Sequence, residues 1–157
     1  LDVVGADAHT SPDGVAVDQF LIVRIRGGSP NWSKVEADLR AAIDGSLDIE
    51  ARLDQRMRTY SRSQRSLAAA PARLEVIVSN DASDAATMVD VRAPDGLAVL
   101  YRLSRSLSAA GMDIRSAKVA TLGHEVVDVF YVQHQGGKLP AGEHDAIRAL
   151  LLAALAN

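Results

Sequence analysis

The chain has 157 residues, a formal net charge of −3 and 48% apolar residues, which suits one soluble domain or two small ones. It has no cysteine, so disulfides, thiolate zinc sites and cysteine nucleophiles are excluded, and a cytoplasmic location is expected. No signal peptide is apparent, and the longest apolar run, residues 149–156, falls far short of the roughly 20 residues that span a bilayer. We expect neither a membrane nor a nucleic-acid partner.

The first 45 residues predict two strands and a helix. Residues 1–10 and 15–25 are rich in β-branched residues and flank a Ser-Pro-Asp-Gly turn. The helix that follows has Ser29 as a possible N-cap, with a proline at its first position, and Ser33 opens an alternative capping box. Gly45 is expected to end this helix.

Residues 50–72 change character, with five arginines, several serines and an Ala-Ala-Ala-Pro end. The first part could continue as a helix, and the rest has the composition of a linker. Nucleic-acid binding is an alternative for this arginine run. We favour a solvated linker, or one that docks on an acidic protein surface, because the whole chain is acidic and Tyr60 is the one aromatic residue in the run.

The remainder of the chain predicts four strands and two helices. Alternation of apolar and polar residues indicates the strands, and apolar stripes at helical spacing indicate the helices. The predicted strands are 73–80, 87–93, 112–122 and 125–133, and the predicted helices are 95–110 and 140–156.

Two parts of the chain repeat each other. The matching pairs are Asp2 with Asp113, Ala6 with Ala117, Thr10 with Thr121, Val17 with Val127, Asp18 with Asp128, Phe20 with Phe130 and Pro30 with Pro140. Residues 1–44 therefore correspond to the strand-strand-helix end of a longer unit. The front half of that first unit is expected to lie upstream.

Residues 87–93 and 100–103, the Gly111-Met112-Asp113-Ile114 segment and above all residues 117–132 resemble the ACT domain family. Within that family the chain is similar to the C-terminal tandem ACT region of the bifunctional uridylyltransferase/uridylyl-removing enzymes, which modify the nitrogen-regulatory PII protein. The resemblance implies an α+β, ferredoxin-like fold, with an antiparallel four-stranded sheet and helices on one face. It also implies a non-catalytic, glutamine-sensing regulatory region without a cofactor of its own, whose parent enzyme uses magnesium.

The resemblance also implies a ligand site. ACT domains of this type carry Asp-Arg-Pro-Gly at the first strand-to-helix turn, where the glycine permits close approach of the backbone to an amino acid. This chain reads Asp95-Gly96-Leu97-Ala98 there, so the acid is retained and a glycine stands two places earlier. The implied ligand-binding residues are Asp95, Gly96, Leu97, Ala98, Ile114, Arg115, Ser116 and Lys118. The alternative for Asp95 is a simple helix N-cap.

The expected organisation is half an ACT repeat at 1–44, a linker at 45–72 and a second repeat at 73–157. The second repeat is expected to be permuted, with strand 73–80 beside the first ACT strand at the edge where the family has its last strand. Alternatively, strand 73–80 closes the first repeat. Because a half repeat leaves apolar surface uncovered, we expect a homo-oligomer with Phe20, Ile22, Phe130 and Val132 at the interface.

Other motifs were considered as sites. His144-Asp145 is the dipeptide of HD phosphohydrolases, but no further aspartate follows it, so a helix-surface position is expected. His124 and His134 are ten residues apart on one strand, too far to share a metal ion. Asp18 and Asp128 could contact a ligand or an interface; we expect carboxylates that are hydrogen-bonded to a turn or face solvent.

The Gly45-Ser46 pair with Asp48 and Glu50 resembles a nucleotidyltransferase motif, but its acids are too close to the Gly-Ser pair, so no catalytic site is expected. Two functional alternatives to amino-acid sensing stay open. One is a dimerisation or PII-docking module without a ligand. The other is the ACT tail of an amino-acid-biosynthetic enzyme.

Overall fold

The computed structural model describes residues 2–23, 29–63 and 73–156. Its elements are β1 (Asp2–Thr10), β2 (Ala16–Val23), α1 (Trp32–Ile43), α2 (Ile49–Ser63), β3 (Glu75–Ser79), β4 (Thr87–Pro94), α3 (Val99–Ala109), β5 (Met112–Leu122), β6 (Glu125–His134) and α4 (His144–Ala156). Helices α1 and α2 form one compact unit, and the six strands with α3 and α4 form another. In the described ranges no helix is long and apolar enough to cross a membrane.

The strands form one antiparallel sheet in the order β2-β1-β5-β6-β4-β3. The α+β class predicted from the sequence is confirmed, and the architecture is compatible with a ferredoxin-like ACT fold. The sheet has six strands instead of the four expected, because the β1–β2 hairpin continues it through β5. In that pairing Gly5 lies opposite Ala120 and His9 lies opposite Ser116.

Alternation along the strands places one face of the sheet in the core. Val89, Val91, Phe130 and Val132 all have exposures of 1% or less, and they point to the face that α3 and α4 cover. Helix α3 contributes three buried residues to this cluster, Val99, Leu103 and Leu107. The opposite faces of β4 and β6 hold the half-buried positions of the alternation.

Strand β3 lies at one edge of the sheet and pairs antiparallel with β4. A small polar network, called here the Thr87 clasp, fastens this edge. The buried Thr87 hydroxyl donates to Asn80 Oδ1 at 2.6 Å and accepts from the Leu139 amide at 2.8 Å. Asn80 Nδ2 donates to the Leu139 carbonyl at 3.0 Å. The clasp joins the end of β3 and the start of β4 to the segment that leads into α4.

Helix α1 begins at Trp32, so its cap lies between the two predicted capping positions. Asn31 is the N-cap, and its side chain accepts from the Lys34 amide at 3.0 Å. The predictions of Ser29 and Ser33 were therefore wrong, since the asparagine oxygen between them satisfies the free amide of the first turn. Gly45 follows the helix with a φ of +73°, as its role in ending the helix requires.

Much of the predicted linker 45–72 is helical, because α2 runs from Ile49 to Ser63. Asp48 Oδ1 accepts from the Ala51 amide at 2.9 Å and so caps the start of α2. Arg52 pairs with Asp38 of α1 at 2.9 Å within the same compact unit. The first part of the segment is thus helical, which is the continuation that the sequence allowed, and residues 64–72 lie outside the described ranges.

Strand β2 forms the other edge of the sheet, and seven of its eight residues are exposed. The exposed fraction is 65% for Val17, 53% for Phe20 and 66% for Leu21. Helix α1 has no buried residue either, and its Trp32, Val35, Leu39 and Ile43 side chains are exposed. Strand β2 and helix α1 thus both present apolar side chains to solvent.

Candidate functional site

The loop 95–98 sits between the end of β4 and the start of α3. The Asp95 amide donates to the His124 carbonyl at 2.8 Å, which fastens the loop to the tight turn between β5 and β6. Helix α3 then begins at Val99, and no side chain caps its first-turn amides. The loop therefore combines an acidic side chain with a helix N-terminus, which attracts an anionic group.

Ala98 adopts a backbone conformation that favours glycine. It precedes α3 with φ +64° and ψ +18°, in the left-handed region. This is the position at which the resemblance implies a glycine, and here the residue has a Cβ. A left-handed alanine costs roughly 1 kcal/mol relative to glycine. The loop is therefore built with strain beside the helix N-terminus.

The structure does not bring all eight predicted ligand residues together. Ile114 lies opposite Val132 near the far end of β5, whereas Asp95 is fastened at His124. The eight residues from His124 to Val132 correspond to about 25 Å at the rise of a strand. Residues 95–98 thus lie at one end of the sheet and Ile114, Arg115 and Ser116 near the other, with Lys118 between them.

Arg115 is engaged in a structural contact at its end of the sheet. Its guanidinium donates to the carbonyls of Thr10 at 3.1 Å and Ser11 at 3.2 Å, and it pairs with Asp113. The pairing of β5 with β6 shifts register between Ile114 and Ser116. Arg115 therefore secures the end of β1 against β5.

Ser116 and Lys118 line a shallow groove on the face of the sheet that lacks helices. The groove measures about 470 Å³ and is also bordered by Asp7, His9 and Tyr131. Lys118 Nζ lies 3.9 Å from Asp7 Oδ1, but both side chains are largely exposed, so this pair adds little stability. An adjoining groove of about 550 Å³ reaches Arg115 and Gln133. Neither groove includes the Asp95 loop.

Instead, the start of β1 lies at the same end of the sheet as the Asp95 loop. Gly5 is opposite Ala120, and Thr121 Oγ1 donates weakly to the Val3 carbonyl at 3.5 Å. In the repeat, Val3 corresponds to Ile114, because Asp2 matches Asp113. Antiparallel pairing of the two matching strands puts the beginning of one beside the end of the other. The first residues of β1 therefore lie beside the last residues of β5, and the first residues of β5 lie beside the last residues of β1.

Asp128 lies in the core of the sheet, although the sequence predicted a carboxylate at its surface. It is 1% exposed, and neither side-chain oxygen has a hydrogen-bond partner among the described residues. Burial raises the pKa of Asp128 to about 7. The Ala120 backbone, which approaches the carboxyl without the geometry of a full hydrogen bond, opposes the rise, and the negative charge of Asp95 adds to it. The prediction that Asp128 faces solvent or bonds to a turn was wrong. The sequence did contain a signal for this burial, because Asp128 lies on the same face of its strand as Phe130 and Val132.

Two of the four predicted interface residues lie in the core. Phe130 is 1% exposed and Val132 is not exposed, and both belong to the cluster beneath α3 and α4. They cannot contact a second chain in this fold, so that part of the prediction was wrong. Phe20 is exposed and Ile22 is half-buried on the edge strand β2.

The described residues hold no group of three or more His, Asp or Glu side chains that could bind a metal ion. His144 starts α4 and contacts the Leu139 carbonyl at 3.4 Å, while Asp145 pairs with Arg148 on the helix surface. His124 lies in the turn between β5 and β6, and His134 lies at the end of β6 beside the Gly111 carbonyl. None of these histidines forms a catalytic arrangement with its described neighbours.

The chain is similar to proteins named bifunctional uridylyltransferase/uridylyl-removing enzyme. The protein of that name from Streptomyces coelicolor is 44% identical over 137 residues, which cover 84% of this chain and 16% of the relative. The Caulobacter vibrioides protein is 36% identical over 163 residues, covering 98% of this chain and 17% of the relative. The Azospirillum brasilense protein is 30% identical and covers 99% of this chain. No protein-family profile and no solved structure matches.

Proposed function

Because this chain belongs to the family of bifunctional uridylyltransferase/uridylyl-removing enzymes, of which it spans about one sixth of the length, we propose that it is their C-terminal ACT region. In this proposal the segment is regulatory and non-catalytic, and it senses glutamine for a parent enzyme that acts on the PII protein. The nucleotidyl chemistry and the magnesium ion belong to domains outside this chain. A cytoplasmic location and a homo-oligomeric parent are part of the same proposal.

The Asp95 loop is the observation that supports amino-acid sensing. A ligand carboxylate can accept from the uncapped amides at the start of α3, and Asp95 can accept from its ammonium group. The residues at the same end of the sheet, Thr121 and the backbone of Val3, offer polar groups for a side-chain amide. Free glutamine carries a carboxylate, an ammonium group and a side-chain amide, so its three polar groups match those that this end of the sheet offers.

Regulation follows if the ligand binds one arrangement of the repeats better than another. The β1–β5 pairing joins the two matching segments, and the proposed site lies beside that junction. A ligand that contacts both the loop after β4 and the start of β1 stabilises this pairing relative to a separated arrangement. The parent enzyme would then respond through the populations of the two arrangements.

Isothermal calorimetry with glutamine tests the proposal, both on this chain and on the parent enzyme. We expect saturable heat at millimolar glutamine or below, and at least about tenfold weaker binding for Asp95→Asn, since a hydrogen bond to a charged group is lost. Asp84→Asn, in an exposed loop away from the site, is the matched control and should bind normally. Absence of heat and of any thermal shift in both proteins would sink glutamine sensing.

The exposed edge strand favours a second candidate function. In this alternative the segment dimerises the parent or docks PII without binding a ligand, through the apolar residues of β2. It predicts association that glutamine does not alter. Sedimentation as a monomer at micromolar concentration, together with no PII binding, would count against this alternative. An ACT tail of an amino-acid-biosynthetic enzyme is the less favoured reading, because the three relatives above share one different name.

A further inference from the structure

The pairing of β1 with β5 has the symmetry of the repeat. The repeat matches Ala6 to Ala117, so it also matches Asp7 to Lys118. In the sheet these two matching residues, Asp7 and Lys118, lie directly opposite each other. A pseudo-two-fold axis therefore passes through the Asp7–Lys118 pair, called here the axis pair. Exchanging the two strands about this axis places each residue of the paired segment on its counterpart.

Two threonine contacts at the ends of the junction have the same symmetry. Thr10 Oγ1 donates to the Ile114 carbonyl at 3.4 Å, and Thr121 Oγ1 donates to the Val3 carbonyl at 3.5 Å. The repeat matches the two threonines with each other and the two acceptor residues with each other. The junction is thus built like an interface between two identical strands, in which both offer the same surface.

Strands that are so alike do not select each other by size. The paired residues other than the axis pair are mostly small: Gly5, Ala6, Ala8 and His9 on β1, and Ser116, Ala117, Val119 and Ala120 on β5. A second β5 strand, aligned about the same axis, would place Ser116 opposite Ala120 and Ala117 opposite Val119, which again brings small residues together. Arg115 does not discriminate either, because it donates to backbone carbonyls, which every strand has.

Charge at the axis does distinguish the possible partners. Asp7 and Lys118 carry the only formal charges among the paired residues, and Lys118 Nζ lies 3.9 Å from Asp7 Oδ1. Pairing β5 with a second β5 would instead place lysine opposite lysine, and pairing β1 with a second β1 would place aspartate opposite aspartate. Like charges directly opposite each other destabilise an antiparallel pair. An exposed pair that adds little stability can therefore still discriminate, because specificity is a difference between two pairings.

We propose that Asp7 and Lys118 determine which strand β5 accepts, so that a β1 strand is admitted and the β5 strand of a second copy is rejected. An open strand edge pairs readily with other strands, and β5 has such an edge whenever β1 is not in place. The axis pair leaves β1 as the favoured partner, so the two matching segments join in one sheet and two copies do not join through β5. This selection concerns assembly and does not depend on glutamine binding.

Disulfide trapping measures the choice of partner, because the chain has no cysteine of its own. The double variant Ser116→Cys/Ala120→Cys, the β5–β5 reporter, cross-links two copies when their β5 strands pair. Within one strand its two positions are roughly 13 Å apart, too far for a disulfide. The double variant His9→Cys/Ser116→Cys, the β1–β5 reporter, detects the native pairing, in which these residues lie directly opposite each other.

Both reporters are refolded from urea in a glutathione redox buffer at low salt and separated on non-reducing gels. We expect the β1–β5 reporter to close within one chain and the β5–β5 reporter to give little dimer. Adding Lys118→Gln to the β5–β5 reporter should raise the cross-linked dimer roughly three- to tenfold, because the like-charge contact is removed. Exchanging the charges, Asp7→Lys with Lys118→Asp, should return the dimer to its starting level. Lys34→Gln removes an exposed lysine that pairs with Asp38 on α1 and should change nothing.

Salt gives a second readout on the same variants. At about 1 M salt the difference between the β5–β5 reporter with and without Lys118→Gln should disappear, because the axis charges are exposed and screened. Equal dimer with and without Lys118→Gln at low salt would overturn the proposal. So would dimer at the Lys118→Gln level in the charge-exchanged variant, or an increase that persists at high salt. Failure of the β1–β5 reporter to close would overturn the pairing on which the proposal rests.

Discussion

Replacing Asp128 by asparagine should change how the stability of the fold depends on pH. The pKa of the Asp128 carboxyl is about 7 in the fold and 3.8 without it, so the two states differ by about three pH units. At 1.36 kcal/mol for each unit, the fold loses about 4 kcal/mol between acidic and neutral pH through this group. Asparagine does not titrate, so Asp128→Asn should remove this loss.

The sign follows from the raised pKa. Below pH 3.8 the carboxyl is protonated in both states, and the favourable contribution is fully present. As the pH rises towards 7 the unfolded chain ionises first, and the contribution is lost. The stability gained by Asp128→Asn should therefore grow from pH 4 to pH 7 and then stay constant.

Urea unfolding of the wild type, Asp128→Asn and Asp18→Asn at half-unit intervals from pH 4 to pH 8 measures this effect. The difference between the wild type and Asp128→Asn should widen with pH, whereas Asp18→Asn should follow the wild type, because Asp18 is exposed. Parallel curves for the wild type and Asp128→Asn would show that Asp128 is ionised in the fold. They would refute the reasoning from burial.

Three further substitutions test other features of the fold. Ala98→Gly should raise the free energy of unfolding in urea by about 1 kcal/mol, because glycine adopts the left-handed conformation without strain. The control Ala149→Gly, inside α4, should lower it by about the same amount. If both substitutions lower the stability equally, Ala98 is not strained. Thr87→Val should lower the free energy of unfolding by about 1–3 kcal/mol, because the substitution leaves the buried Leu139 amide without an acceptor. An unchanged midpoint would show that the clasp is dispensable. Leu21→Lys on the exposed edge should reduce self-association in sedimentation, while Leu122→Lys at the exposed hairpin end should not.

Strands were the most predictable part of the fold. Alternation and β-branched residues located β5 at Met112–Leu122 with the bounds that the structure has. Helix α2 was harder, because its arginines and serines resemble a linker although Ile49, Leu53 and Met57 recur at helical spacing. The sequence left a helix open for the first part of residues 50–72, and α2 occupies that part.

The residues of the candidate site could be predicted from the sequence, but their positions relative to one another could not. The resemblance pointed to Asp95 and to the strand through Ser116, yet only the pairing of β5 with β6 shows that they lie at different ends of the sheet. Strand register depends on contacts across the sheet, which local sequence does not encode. Similarly, an alanine gives no local signal of a positive φ, so the conformation of Ala98 could not be read from its type.

The burial of Asp128 was missed for a different reason. A charged residue in a strand is usually exposed, and that expectation outweighed its phase with Phe130 and Val132. In the structure Asp128 is buried on the same face of β6 as Phe130 and Val132. An acidic residue in step with the buried residues of a strand therefore identifies a carboxyl whose charge the fold must manage.

The pairing of β1 with β5 also determines when the two parts of the sheet come together during folding. Gly5 meets Ala120 and His9 meets Ser116, so the paired residues are 115 and 107 positions apart in the chain. The β5–β6 hairpin closes through a tight turn, whereas β1 must close a loop of more than one hundred residues, which carries a larger entropic cost. Since β2 pairs with β1 alone in the described sheet, the β1–β2 hairpin should dock late, detach as a unit and exchange its amide hydrogens sooner than β4 and β6.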